Sequence, residues 1–360
     1  MELSAKALLH NVNIVKQHAK GSRIIAMLKA DAYGHGLLPI ANILKENHCV
    51  DIIGVARLEE ALSLREAQID IPLLVFQGAF EADDFIIAAQ QNIQLIIHSA
   101  WQIDILEKTH LPNPIFLWLK VNTGMNRLGL RPEEAPHAWQ RLIECRQVAK
   151  PLRCMTHFAN ANAGDHKKTE EQLNTFREMI AHFDNQGEPI ECSLAKSAAI
   201  LHSPDTHQDW VRPGMMLYGA SPVDGTTAPN YHLQPVMTLR TVLMAIQDCD
   251  AGETIGYDGT WRCPEATRVG IVAFGYGDGY PRHVPNGTPV LVNGKRVPLI
   301  GRVSMDMIAV DLRTQPEAQI GSPVVLWGEG LSAEEIAKFA NTTAYELFCQ
   351  VTPRVKRVVV

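Results

Sequence analysis

In the segment MLKADAYGHG, Met27 to Gly36, a lysine, Lys29, stands where an apolar run gives way to a Gly-rich stretch carrying Tyr33. An ammonium beside a packed interior is costly, because it gives up water without a counter-ion. Such a lysine becomes useful when it forms a Schiff base with a carbonyl cofactor. The plainer reading is a lysine whose stem lies on apolar surface and whose head reaches solvent. Four other apolar runs end in the same way: IFLWLKVNTGMNRLG supplies Lys120 and Arg127, MTHFA supplies His157, SLAKSAA supplies Ser197, and WVRPGMMLYG supplies Arg212 and Gly214. Taken singly, these are solvated charges, a hydrogen-bonded core histidine, a helix cap and a turn. Brought to one face they become a site, in which Ser197, Gly214 and a neighbouring amide would suit a phosphate. Further along, GYDGTW and GYGDGYPR place Tyr257 and Tyr276 in Gly-rich turns, for which ordinary turn chemistry is the simpler reading. Pro281 follows the second turn, which argues against a dinucleotide loop.

The elements that must position these residues alternate. From Ile24 to Gly219, short β-branched runs at Ile24–Leu28, Ile52–Ala56, Leu73–Phe76, Gln94–Ile97, Ile115–Val121, Leu152–His157, Glu191–Ala195 and near Val211 are separated by stretches of helical periodicity such as Leu58–Ala67. An eight-fold βα series of this length predicts an α/β fold, a (β/α)8 TIM-type barrel, whose strand carboxyl ends form the catalytic face. No G-x-G-x-x-G opens a helix, which disfavours an open dinucleotide-binding sheet. After Pro222 the texture shifts to dense Gly and Pro with short strands at Val236–Ile246, Arg268–Phe274, Pro289–Leu291 and Val324–Trp327, and one helix, Ser332–Ala340, opening with a cap signature. The chain divides into residues 1–232, the barrel, and 233–360, a mainly-β domain.

With 360 residues, 46% hydrophobic and 20% charged, the chain is long enough for two packed domains. A net charge of -6 without a basic cluster argues against nucleic acid and for small-molecule partners. Seven cysteines without a C-x-x-C pair suit a reducing compartment, and neither a signal pattern nor a membrane-length apolar run is present, so a cytoplasmic location is expected.

At this point the residues resemble a known family, the fold-type III pyridoxal-phosphate alanine racemases. The likeness rests on the Lys29 segment followed, in order, by THFA at Thr156, VRPGMMLYG at Val211, GYDGTW at Gly256, GYGDGY at Gly275, GRVSMDM at Gly301 and AYELFC at Ala344. The resemblance implies pyridoxal 5'-phosphate as cofactor, alanine as substrate, no metal, and a head-to-tail homodimer whose sites are completed by the partner's β domain. It implies that Lys29 holds the cofactor aldehyde and serves as one base, and that Tyr257 from the other subunit is the second. Tyr33, Ser197, Gly214, Met215 and Tyr345 match phosphate-holding positions, and Arg212 matches the partner of the pyridine nitrogen. Arg127 corresponds to a residue near the substrate carboxylate, Lys120 to a lysine carbamylated in many relatives, and His157 to the link between Arg212 and the tyrosine. Met305 and Tyr276 match positions around the substrate and entrance. Lys196 stands where many relatives carry Asn or Ala, and Asn122 where Asp is frequent.

These residue types suit racemisation. The cofactor delocalises the electron pair left when the alpha proton departs. Inversion then needs one base on each face, and a phenol acts as a base only beside positive charge, which Arg127, and Arg212 through His157, would supply. A broader amino-acid racemase, a decarboxylase of the same fold and a non-catalytic cofactor-binding barrel are the alternatives. The last would lack the β domain and Tyr257, and the decarboxylase would carry its acid cysteine in a Gly-rich turn.

Overall fold

The computed structural model describes residues 1–162, 166–185 and 187–360. Eight parallel strands close into a barrel in chain order: β1 (Arg23–Met27), β2 (Ile52–Val55), β3 (Leu73–Val75), β4 (Ile93–Ile97), β5 (Ile115–Lys120), β6 (Val148–Met155), β7 (Cys192–Lys196) and β8 (Trp210–Arg212), with β8 returning to pair with β1. Every residue of β2 and β4 is buried, as strands covered on both faces require. The intervening helices supply the outer cover. In Leu58–Glu66, for example, Ala61 and Leu64 are buried while Glu59 and Glu66 face water.

The amino-terminal end of the barrel is closed by charge and aromatic stacking rather than by chemistry. Glu191 accepts from Arg153 at 2.5 Å and from Arg23 at 2.6 Å, and the Arg23 guanidinium lies 3.9 Å from the Trp210 ring centre. Burial pushes the Glu191 carboxyl up, but the two arginines outweigh it and hold the group at about 2. This end is therefore built for stability, leaving the opposite mouth for function.

Before the barrel, Ser4 caps helix Ala5–His18 by accepting from the Ala7 N–H. Inside that helix the buried Asn11 donates to the Leu217 and Gln234 carbonyls and accepts from the Gln234 N–H, which fixes the connection to the second domain. That domain is an antiparallel sheet of β9 (Met237–Cys249), β10 (Thr267–Val272), β11 (Pro289–Val292), β12 (Lys295–Ile300), β13 (Ile308–Asp311) and β14 (Pro323–Trp327). The long β9 pairs with β14 through its first half and with β10 through its second, so the six strands come full circle. Both chain ends join this sheet. Glu2–Leu3 runs antiparallel to Met237–Thr238, and Val358–Val359 runs parallel to Glu2–Leu3. The first residues thus cross from the barrel half into the second sheet.

Strands β12 and β13 and the helix Ala344–Gln350 lie outside the elements expected from sequence. In NGKRVPLIG the charged residues and the proline break the apolar alternation that marks a strand. Among the described residues no helix is long and apolar enough to cross a membrane.

Candidate active site

Strand β1 ends at Met27, and the chain after Lys29 does not run on as the Gly-rich loop expected from sequence. Ala30, Asp31 and Ala32 have φ of 54, 54 and 53° with ψ of 54, 46 and 50°, and Tyr33 has φ 52°, which makes a left-handed helical turn. Each such L-residue costs roughly 1–2 kcal/mol relative to the right-handed form. Glu60 stabilises the turn by accepting from the Ala30 N–H at 2.7 Å while its other oxygen accepts from Ala56 N–H. The turn ends at Tyr33, which lines the same cavity as Lys29. There its ring packs against Tyr218 and Tyr345, with centroids 5.0 and 5.8 Å apart.

The mouth of the barrel holds a cavity of about 420 Å³ lined by Lys29, Tyr33, Lys120, Arg127, His157, Lys196, Ser197, Arg212, Gly214, Met215 and Tyr345, with Met27, Phe76, Gln77, Met125 and Met155 among the remaining walls. Among the described residues, three lysines, two arginines and no carboxylate line it. Burial lowers the Lys29 amine, with Arg127 adding to the effect. Burial, with Arg212, Arg127 and Lys29 nearby, brings Lys120 down to about 7. The ammonium of Lys120 has no hydrogen-bond or ion-pair partner among the described residues.

Arg212 is the most constrained of these groups. It donates to Ser193 Oγ at 2.6 Å, to the carbonyls of Thr156 and Leu194 at 2.6 and 3.0 Å, and toward His157 Nδ1 at 3.4 Å. Burial lowers it to about 10, so it keeps its charge at neutral pH. Burial first and then Arg212 push His157 well below its ordinary range, so the imidazole is neutral. Ser197 Oγ accepts from the Gly214 N–H at 2.8 Å, tying β7 to the turn after β8. Ser197 is the first residue of its helix rather than the cap, a place taken by Lys196. A Cβ at Gly214 would lie 2.6 Å from Tyr33 Oη, so glycine there keeps the space beside the phenol open.

Tyr257, Tyr276 and Met305 do not line this cavity. They lie on the second domain, 66, 38 and 54% exposed. Their three loops form one rim. Tyr276 N–H donates to the Ser304 carbonyl at 3.0 Å, and Asp258 pairs with Arg302 at 3.1 Å.

Two family models cover nearly the whole chain: alanine racemase, N-terminal domain, over residues 3–222, and alanine racemase, C-terminal domain, over residues 236–359. The chain belongs to the alanine racemase family. Among family members, the alanine racemase of Aeromonas hydrophila is 47% identical over 356 residues, covering 98% of this chain and 97% of that one. The biosynthetic alanine racemase of Escherichia coli K12 is 46% identical over 354 residues, covering 98% and 96%. The crystal structure of biosynthetic alanine racemase from Pseudomonas aeruginosa superposes with a TM-score of 0.94 at 40% identity, covering all of this chain and 98% of that one.

Ten of the family-matched positions thus meet in one cavity, and the other three stand together elsewhere. The partners that orient Arg212, namely Ser193 and the Thr156 and Leu194 carbonyls, escaped the sequence reading, as did Glu60 and Asp31 around the turn. Backbone acceptors leave no trace in residue types. The one available signal was Ser193, a hydroxyl inside an otherwise apolar strand.

Proposed function

We propose that this chain interconverts L- and D-alanine with pyridoxal 5'-phosphate, using Lys29 of one subunit and Tyr257 of the partner subunit as the two bases. The single observation that carries the reading is the cavity around Lys29, lined by three lysines and two arginines and, among the described residues, by no carboxylate. Such a lining fits an anionic cofactor and an amino acid's carboxylate, and the glycine gap beside Tyr33 Oη and Ser197 suits the phosphate. Tyr33, Ser197, Gly214, Met215 and Tyr345 would hold that phosphate, Lys29 the aldehyde, and Arg212 the ring nitrogen.

Once bound, the cofactor supplies an aldehyde that joins amines and a conjugated ring that accepts the electron pair of the alpha carbon. The protein's own groups do the rest. Lys29 Nζ, lowered by burial and by Arg127, spends more of its time neutral and able to take a proton at one face of the alpha carbon. Tyr257 Oη returns a proton at the other face. Arg127 holds the substrate carboxylate, and Met305 and Tyr276 border the substrate and its entrance. His157, neutral and with its Nδ1 3.4 Å from Arg212, relays the position of that arginine toward the phenol. The exposed rim of Tyr257, Tyr276 and Met305, outside the chain's own cavity lining, supports a homodimer with shared sites. A lysine lowered to about 7 supplies the free amine whose nitrogen adds to carbon dioxide with loss of a proton, which supports a carbamate at Lys120 and through it a support for Arg127. The biosynthetic names of the Escherichia coli and Pseudomonas aeruginosa relatives support D-alanine supply as the working direction.

The test is a racemase assay with L-alanine and L-serine, with the visible spectrum recorded before and after borohydride. Turnover of L-alanine and a reduced adduct on the Lys29 peptide are expected. A colourless protein after reconstitution, or an adduct mapped elsewhere, overturns the reading, and faster turnover of L-serine would make this a broader racemase.

A further inference from the structure

The left-handed turn that follows Lys29 is held from the far end of the chain. Asp31 Oδ1 accepts from the Leu37 N–H at 2.7 Å, and its Oδ2 accepts from Arg357 Nη2 at 2.8 Å. The same Arg357 nitrogen donates to the Gly34 carbonyl at 3.1 Å. Arg357 therefore bridges the middle and the end of the turn with one guanidinium. Its stem packs so closely that a Cβ at Gly36 would lie 2.9 Å from Arg357 Cδ. The arginine cannot drift, because Val358–Val359 is paired with Glu2–Leu3, and the Val358 and Val360 N–H groups donate to the Met1 and Leu3 carbonyls at 3.0 and 2.9 Å. A run of left-handed L-residues unwinds unless the surroundings fix it at several points. Glu60 fixes the start, and Arg357 fixes the centre and the exit.

We infer that Arg357 is a positioning residue for Lys29, acting through Asp31: the pair keeps the turn wound and so sets where the lysine amine stands and how long it stays joined to the cofactor. The inference rests on the reading of Lys29 as the cofactor lysine. An ordinary surface ion pair would add little to either property. Here the arginine side chain is 18% exposed, although that of Asp31 is 52% exposed, and its partners are Asp31, inside the left-handed run, and the Gly34 carbonyl at its end.

The experiment compares the holoenzyme with Arg357→Gln, Arg357→Lys, Asp31→Asn and the Arg357→Gln/Asp31→Asn double variant. Three quantities are read: the rate at which the cofactor chromophore is lost to hydroxylamine, the pH midpoint of its visible band, and the melting midpoint. Loss of one charge-assisted hydrogen bond at the turn predicts cofactor loss about tenfold faster in each single neutral variant. The double variant should be no faster than either single one, and Arg357→Lys should recover part of the effect. The pH midpoint should move in the neutral variants, which a purely structural role would leave in place. Because Asp31 lies in the barrel half and Arg357 at the far end, Asp31→Asn tests the contact if Arg357→Gln folds poorly. Unchanged chromophore loss and pH midpoint in both neutral single variants, with only the melting midpoint lowered, overturns the inference. A borohydride adduct mapping away from Lys29 in the unaltered protein defeats the underlying reading instead, whatever the variants do.

Discussion

Arg212 Nη2 lies 3.4 Å from His157 Nδ1 while donating to two backbone carbonyls, those of Thr156 and Leu194. The guanidinium is thus locked by groups that cannot rotate away, and burial first, with Arg212 beside it, pushes the imidazole well below its ordinary range and so to the neutral form. Two cationic groups at this contact would repel, so the pair has a fixed division of charge.

That division bears on reaction control. If Arg212 faces the ring nitrogen, it leaves that nitrogen unprotonated and the ring a weaker acceptor of electrons. Arg212→Glu should lower racemisation by about a hundredfold or more and release pyruvate as a side product. Pyruvate is measured with a coupled lactate dehydrogenase, and an unchanged product spectrum counts against the role.

Tyr257 is two-thirds exposed and lies outside its own chain's cavity lining, so the proposed part in the reaction would require a second subunit. Lys29→Ala and Tyr257→Phe should each be nearly inactive as homodimers. Mixed, denatured together and refolded, they should regain activity, because one site of the hybrid has both bases. Failure to complement would mean that the two residues serve the same chain.

Lys120 gives a pH signature. Burial, chiefly, holds its amine at about 7, below the ordinary 10.5, and unfolding restores the ordinary value. Between those values the unfolded state binds more protons, so stability rises with pH, whereas below them the buried charge is a constant cost. In buffer free of carbon dioxide, Lys120→Met should therefore melt above the parent at about pH 6, with the gap narrowing toward about pH 9. With labelled bicarbonate, a carbamate carbon signal should appear in the parent and vanish in Lys120→Ala. A flat stability difference, or no such signal, would remove Lys120 from the site chemistry.

Gly214→Ala places a methyl where only 2.6 Å separates it from Tyr33 Oη. Crowding of this kind costs about 1–3 kcal/mol, which corresponds to roughly a fivefold or greater rise in the cofactor dissociation constant. Fluorescence titration of the apoprotein measures it. Tyr33→Phe combined with Gly214→Ala should relieve part of the crowding, and an unaltered affinity would show that the phosphate does not sit there.

Much of this was legible in the sequence because barrel strands announce themselves twice, as apolar runs and as the places where polar residues abruptly follow. Lys120 after IFLWL and Arg212 after WV are read in that way, and both stand at the mouth. Two kinds of information were hidden. Backbone handedness in KADAY has no composition signal, since Ala and Asp are ordinary residues forced into a rare conformation by contacts from elsewhere. Pairings across hundreds of positions, such as Asp31 with Arg357, depend on where two remote segments land after folding. The likeness of ordered motifs pointed to a second-subunit role for Tyr257, which no spacing argument reaches.

The short strand Glu2–Leu3, hydrogen-bonded to Met237–Thr238 on one side and Val358–Val359 on the other, makes the two halves interlock like a tongue between two grooves. Severing the backbone near residue 232 should consequently leave a particle that sediments as one body, and the two fragments made separately should each be sticky until they meet.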